Sequence, residues 1–174
     1  MSGVYLTRTN QKLNFTRIHL DALKVAQEST GWSKHALIES YNESVLFHMV
    51  SAYSSLLREI AEQYSFDANR ISKLSQLTQQ MEAQGLEAPE VAELQQLHND
   101  TDSWLHQLLA AYKACWRAED HQQSQGKAES VSEIHVMQIN PDHAEDGDIL
   151  SEYQRWFSEF KALVERMRNG MQEW

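Results

Sequence analysis

Few residues in this 174-residue chain have the type and spacing to do chemistry, and several of them fall on one segment. Glu39 and Glu43 are four residues apart, so on a helix both carboxylates lie on one face. Asn42 and His48 belong to the same segment. His48 lies five residues beyond Glu43, about 140° further round a helix, so imidazole and carboxylate do not converge on one ligand. Set between VLF and MVSAY, His48 is expected to be buried, with Tyr41 and Tyr53 as its polar aromatic neighbours. His48, Tyr41 and Tyr53 are therefore the candidate ligand-binding residues. Asp102 and His106 form a second pair at four-residue spacing, suited to stabilising a helix start. Cys115, next to Trp116, has the surroundings of a packed, inert thiol.

The motifs that commonly carry catalysis are missing. Helical di-metal sites use Glu-x-x-His pairs on facing helices. None of the eight histidines has a glutamate three residues before it. HExxH, the P-loop, GxGxxG and GxSxG do not occur either. A single cysteine excludes a disulfide framework and any cysteine-based zinc or iron–sulfur centre within one chain. No catalytic residue, no metal and no cofactor is assigned.

The formal charge of −10 is uneven. Residues 1–73 carry a net +1, residues 74–118 a net −4 and residues 119–174 a net −7. No Lys or Arg falls between Lys73 and Lys113. An acidic surface repels phosphate backbones, so nucleic acid is not an expected partner. No apolar run is long enough for a membrane span or a signal peptide, so the expectation is a cytoplasmic protein without membrane contact. The basic exception is the N-terminal TRTNQK, where Arg8 and Lys12 can receive acidic groups from the C-terminal third or from a partner.

The apolar spacing that must position these residues is helical almost throughout. A first helix is predicted from about Thr7 to Ser29, burying Leu13, Phe15, Ile18, Leu20, Ala22, Leu23 and Val25, with Gly31 as its left-handed stop. Ser33 is placed to cap a second helix from Lys34 to about Tyr64, with Trp32 and Leu37 as a hydrophobic staple. That helix is apolar nearly all round in its middle, as a central element would be. Asp67 caps a third helix predicted over Ala68–Ala83 and stopped by Gly85. Pro89 begins a short helix to about His98. A further long helix is predicted from Asp102 to Glu119.

Residues 119–148 are polar and form the best linker, although SEIHVMQIN within it has mild strand character. A last helix from Asp148 carries Leu150, Tyr153, Phe157, Phe160, Val164, Met167 and Met171 at alternating spacings of three and four, a sustained heptad seam. The seam is either the face this helix packs into its own bundle or, through Tyr153, Phe157, Phe160 and Met167, a surface that pairs with a second chain. The fold class expected is all-α, a single antiparallel helical bundle of four principal helices plus one or two short ones.

Four stretches carry a resemblance: YLTRTNQKLNF (5–15), ESVLFHMVSAYSSLLREIAEQY (43–64), DSWLHQLLAAYKACW (102–116) and EFKALVERMRNGMQEW (159–174). Together the chain resembles an uncharacterised, domain-of-unknown-function family of small bacterial proteins. The resemblance covers nearly the whole length and is weakest over 67–100 and 119–148. It implies a bacterial protein without assigned enzymology, and it carries no site residues over.

Two functions remain open. The first is a non-enzymatic protein-interaction or scaffold module, homodimeric or bound to another protein, which requires an exposed apolar patch. The second is a bundle that binds a small molecule or a metal and has enzymatic potential, which requires a cavity with converging polar groups. Mimicry of nucleic acid by the acidic surface rests on charge alone.

Overall fold

The computed structural model of the chain describes residues 3–117 and 148–172. Six α-helices account for most of them: α1 (Val4–Glu28), α2 (Lys34–Gln63), α3 (Leu74–Ala83), α4 (Pro89–Asn99), α5 (Trp104–Ala114) and α6 (Ile149–Gln172). No strand occurs among the described residues. The SEIHVMQIN segment and the linker, up to Asp148, lie outside them.

Side-chain contacts give the helix directions. Tyr5 lies beside Arg58, Phe15 beside His48 and His19 beside Tyr41, so α1 and α2 form an antiparallel hairpin. Phe160 meets Trp104 near the start of α5 and Tyr153 lies near Cys115 at its end, so α6 packs antiparallel on α5. Arg168 reaches Glu59 and Gln63 reaches the Met171 carbonyl, so α6 runs in the same direction as α2. α1, α2, α5 and α6 thus each pack on the next around a shared core, with α3 and α4 laid over α2 and α5.

α2 is the central element that its apolar girth predicts. Val45, Leu46, Met49, Ala52, Leu56, Leu57, Ile60 and Ala61 are all buried. Its C-terminus closes with Ser65 in the left-handed region, φ 60°. The Phe66 amide then donates to the Ala61 carbonyl (2.8 Å) and the Ser65 amide to that of Glu62 (3.0 Å). α3 ends in the same motif, with Gly85 at φ +63° and the Leu86 amide donating to the Met81 carbonyl. This pairing of bonds satisfies carbonyls that a helix end leaves open.

Several boundaries differ from those the sequence predicts. α1 begins three residues earlier, and its buried line is Thr9, Thr16, Leu20, Leu23 and Ala26. Ile18 and Val25 face outward. The threonines take the inner positions because their hydroxyls donate to the carbonyls of Tyr5 and Lys12 one turn back. Gly31 is not the left-handed stop, because Ser29 leaves the helix in extended conformation. Ser33 makes no side-chain cap and Trp32 is fully exposed, so no staple forms; Leu37, its intended partner, is itself exposed and a contact there would bury little.

The third helix is also broken. A 3-10 turn at Ala68–Arg70, capped by Asp67, precedes α3. Between them the Ile71 carbonyl accepts from Arg58 Nε (2.6 Å), while Gln76 Oε1 accepts from the amides of Ser72 and Lys73. These partners replace the bonds of a continuous helix. α5 is shorter than predicted and is capped by Ser103, whose Oγ accepts from the His106 amide (3.1 Å). Asp102 therefore lies outside the helix, and His106 Nδ1 instead bonds the His98 carbonyl at 2.8 Å.

Of the ion pairs among the described residues, the one between α2 and α6 is the most buried. Glu59 on α2 has a side chain only 7% exposed and meets Arg168 on α6 through two bonds of 2.7 and 3.0 Å. Arg168 Nη1 also donates to Asn10 Oδ1 on α1 (2.9 Å). Removing one partner of a buried pair costs about 3–5 kcal/mol, whereas an exposed pair contributes about 0–1 kcal/mol. Arg168→Met is therefore expected to lower the melting temperature by roughly 6–15 °C at this chain length. Arg166→Met, which breaks the exposed pair with Glu93, is expected to shift it by no more than roughly 3 °C. Equal shifts in thermal unfolding would show that burial of the Glu59 pair is not what distinguishes them.

Candidate functional site

The three candidate ligand residues separate into two places. Tyr41 and His48 are seven residues apart on α2, two helical turns, and both look toward α1. The residue that joins them is His19 of α1. Its ring centroid lies 4.7 Å from that of His48 and 6.1 Å from that of Tyr41. Phe15 and Phe47 meet His48 edge-on at 5.5 and 5.3 Å. Lys12 lies over both phenyl rings, 5.6 Å from the centroid of Phe15 and 5.5 Å from that of Phe47. Tyr53 is elsewhere. It is on the side of α2 that faces α3, α4 and α5, and lines a different groove.

His48 is half-buried rather than enclosed. The Nδ1 atoms of both His19 and His48 are shielded from solvent without a hydrogen-bond partner among the described residues. Burial, then the neighbouring His19 and Lys12, push the His48 pKa below its ordinary value. The imidazole is thereby kept neutral, which suits stacking and hydrogen bonding.

On its other side His48 opens onto a groove of about 500 Å³ whose walls include Glu43, Phe47, Tyr112, Cys115 and Trp116. Burial and the Glu43 carboxylate push the Cys115 thiol up to about 11, so at neutral pH it is no thiolate. A thiol in that state is a poor nucleophile. Its Sγ donates weakly to the Ala111 carbonyl (3.5 Å). Glu39 and Glu43 are half-buried beside this groove and not simply solvated, and burial raises the Glu39 carboxyl. Among the described residues no three His, Cys, Asp or Glu side chains converge as metal ligands.

The heptad seam of α6 is turned inward. Tyr153, Phe157, Phe160 and Met167 are all buried in this chain's own core, Phe160 against Trp104 with ring centroids 5.5 Å apart. The large apolar side chains left exposed lie elsewhere, chiefly Ile18 and Val25 on α1, Trp32, Phe47 and Trp116. His19 is the site residue that sequence reasoning missed. The turn near residue 31 carried the signal, because an antiparallel hairpin folded there brings residue 19 level with the low forties of α2.

The family comparison agrees with the resemblance read from the residues. The chain belongs to DUF6586, a family of unknown function whose model matches residues 1–174. No curated protein and no solved structure matches it. No helix among the described residues is long and apolar enough to cross a membrane.

The neutral His48 has a consequence for stability. Below its ordinary pKa near 6.5 the unfolded chain takes up a proton that the folded site resists, so this contribution is present above that pH and is lost as the pH falls. The expected result is a steeper fall in melting temperature between pH 7 and 5.5 for the wild type than for His48→Phe. Parallel pH profiles for the two proteins would remove this assignment.

Proposed function

We propose that this member of the DUF6586 family is a non-enzymatic protein-interaction module that pairs with a second copy of itself through the outer face of α1. The observation that carries the reading is the exposure of apolar side chains in register on that helix. Val4, Ile18 and Val25 are 61%, 46% and 68% exposed. They are separated by fourteen and seven residues, so they share one face. Trp32, in the turn that follows, is fully exposed. Burying such residues is favourable by about 25 cal/mol per Å² removed from water.

Charge supports a second copy as the occupant. The first half of α1, Val4–Arg17, carries Arg8, Lys12 and Arg17 and no acid. The second half carries Asp21 and Glu28 against Lys24 alone. Arg17 and Asp21 already pair within the helix (3.2 Å), and Lys12 lies over Phe15 and Phe47. That leaves Arg8 near one end and Glu28 at the other. Two α1 helices packed antiparallel about a two-fold axis set each of these against its opposite in the second copy. The raised Cys115 thiol and the lack of converging metal ligands among the described residues give no comparable support to a catalytic reading.

Sedimentation equilibrium and native mass spectrometry test this between micromolar and hundred-micromolar protein. The expected outcome is a dimer in the wild type. Val25→Glu and Ile18→Glu are expected to weaken it at least tenfold, about 1.4 kcal/mol, with unchanged helical circular dichroism. A wild type that stays monomeric over the whole range would sink the proposal.

A further inference from the structure

A second groove, of about 680 Å³, runs between α2, α3, α4 and α5. That volume falls in the usual range for small-molecule sites, about 300–1,000 Å³. Val50, Leu109 and the rings of Tyr53 and Tyr112 give it an apolar lining. The two ends of its α3 wall differ in charge. Lys73 stands at the start of α3, with His98 from the last turn of α4 also on the wall, and Glu82 stands near the end of α3. Lys73 has no carboxylate partner among the described residues, and the start of a ten-residue helix carries the positive end of its dipole.

Tyr53 supplies a second, independent observation. It is only 5% exposed, yet its hydroxyl is shielded from solvent with no hydrogen-bond partner among the described residues. Burial raises its pKa, so the group stays protonated and is a donor in want of an acceptor. An unsatisfied buried polar group costs about 1–3 kcal/mol and calls for an explanation, and Tyr53 lines this groove.

We propose that this groove binds a small amphipathic carboxylate. Its apolar body lies along Val50, Leu109 and Tyr112, its acidic head is held at the Lys73 end, and the Tyr53 hydroxyl donates to a ligand oxygen. The polarity of the groove excludes the reverse orientation for an anion, because Glu82 faces the other end. The site is separate from the outer face of α1, so neither proposal depends on the other.

Isothermal titration of the full chain with sodium decanoate, decylamine and decanol tests this, the three probes sharing a chain and differing in the head. Saturable binding of decanoate is expected, with decylamine and decanol at least tenfold weaker. Tyr53→Phe is expected to weaken decanoate roughly tenfold, the equivalent of one hydrogen bond. The melting temperature of that variant without ligand should not fall, since the hydroxyl it loses has no hydrogen-bond partner among the described residues. Lys73→Gln, an exposed change, is expected to weaken decanoate about three- to tenfold. Absence of saturable decanoate binding at millimolar concentration, equal binding of decylamine, or unchanged affinity in Tyr53→Phe would each overturn the proposal.

Discussion

The arrangement of the long helices turns on a carboxylate held away from water. Glu59 is almost fully enclosed on α2, and the planar fork of Arg168 answers it with two bonds from α6. The same guanidinium reaches Asn10, so one side chain ties α6 to both helices of the hairpin. A buried charge tolerates little displacement of its partner, because the alternative is an unpaired ion in a poorly solvated place. Apolar seams slide more easily. The pair therefore sets the register of α6, and with it the position of Phe160 against Trp104.

Once α6 is seated, the division of labour among surfaces follows. α6 and the middle of α2, Phe47 excepted, place their large apolar side chains in the core. α1 cannot do so on all sides. Its inner line is narrow and partly made of threonines that bond their own helix, which leaves Ile18 and Val25 at the surface. α3 and α4 cover the other flank of α2 only in part, and the gap between them and α5 is the groove walled by Tyr53. The exposed apolar side chains of α1 and the groove walled by Tyr53 are thus both surfaces that the packing around α2 leaves uncovered.

The histidine pair shows how a polar site forms inside such packing. His19 and His48 come from different helices and meet at 4.7 Å between aromatic rings. Burial first, and then the neighbouring His19 and Lys12, disfavour a positive charge on His48 and hold its pKa below the ordinary value. The site is a property of the α1–α2 register, since a slip of one residue on either helix turns a ring by about 100°.

Much of the fold was legible in the residues. The 3.6-residue spacing, the Gly85 stop, Pro89 at a helix start and the heptad pattern of α6 are local features, and each appears where local physics places it. The all-α class and the central role of α2 follow from the same patterns. Pattern alone did not determine which apolar residues face inward when a helix has more of them than its neighbours can cover. Ile18 and Val25 lost that competition to Thr9 and Thr16, and Trp32 found nothing to pack on. Nor did it show that Arg58 would take the Ile71 carbonyl, a bond whose partners meet only because of how the chain returns, although the Gln76 bond to the Lys73 amide beside it is a local capping contact. The candidate residues divided in the same way. His48 and Tyr41 share a face by helical arithmetic, but His19 beside them, the burial of the Tyr53 hydroxyl and the inward turn of Tyr153, Phe157, Phe160 and Met167 were decided by tertiary contacts. Spacing sets which side chains travel together on one helix, and only the packing of helices sets what they meet.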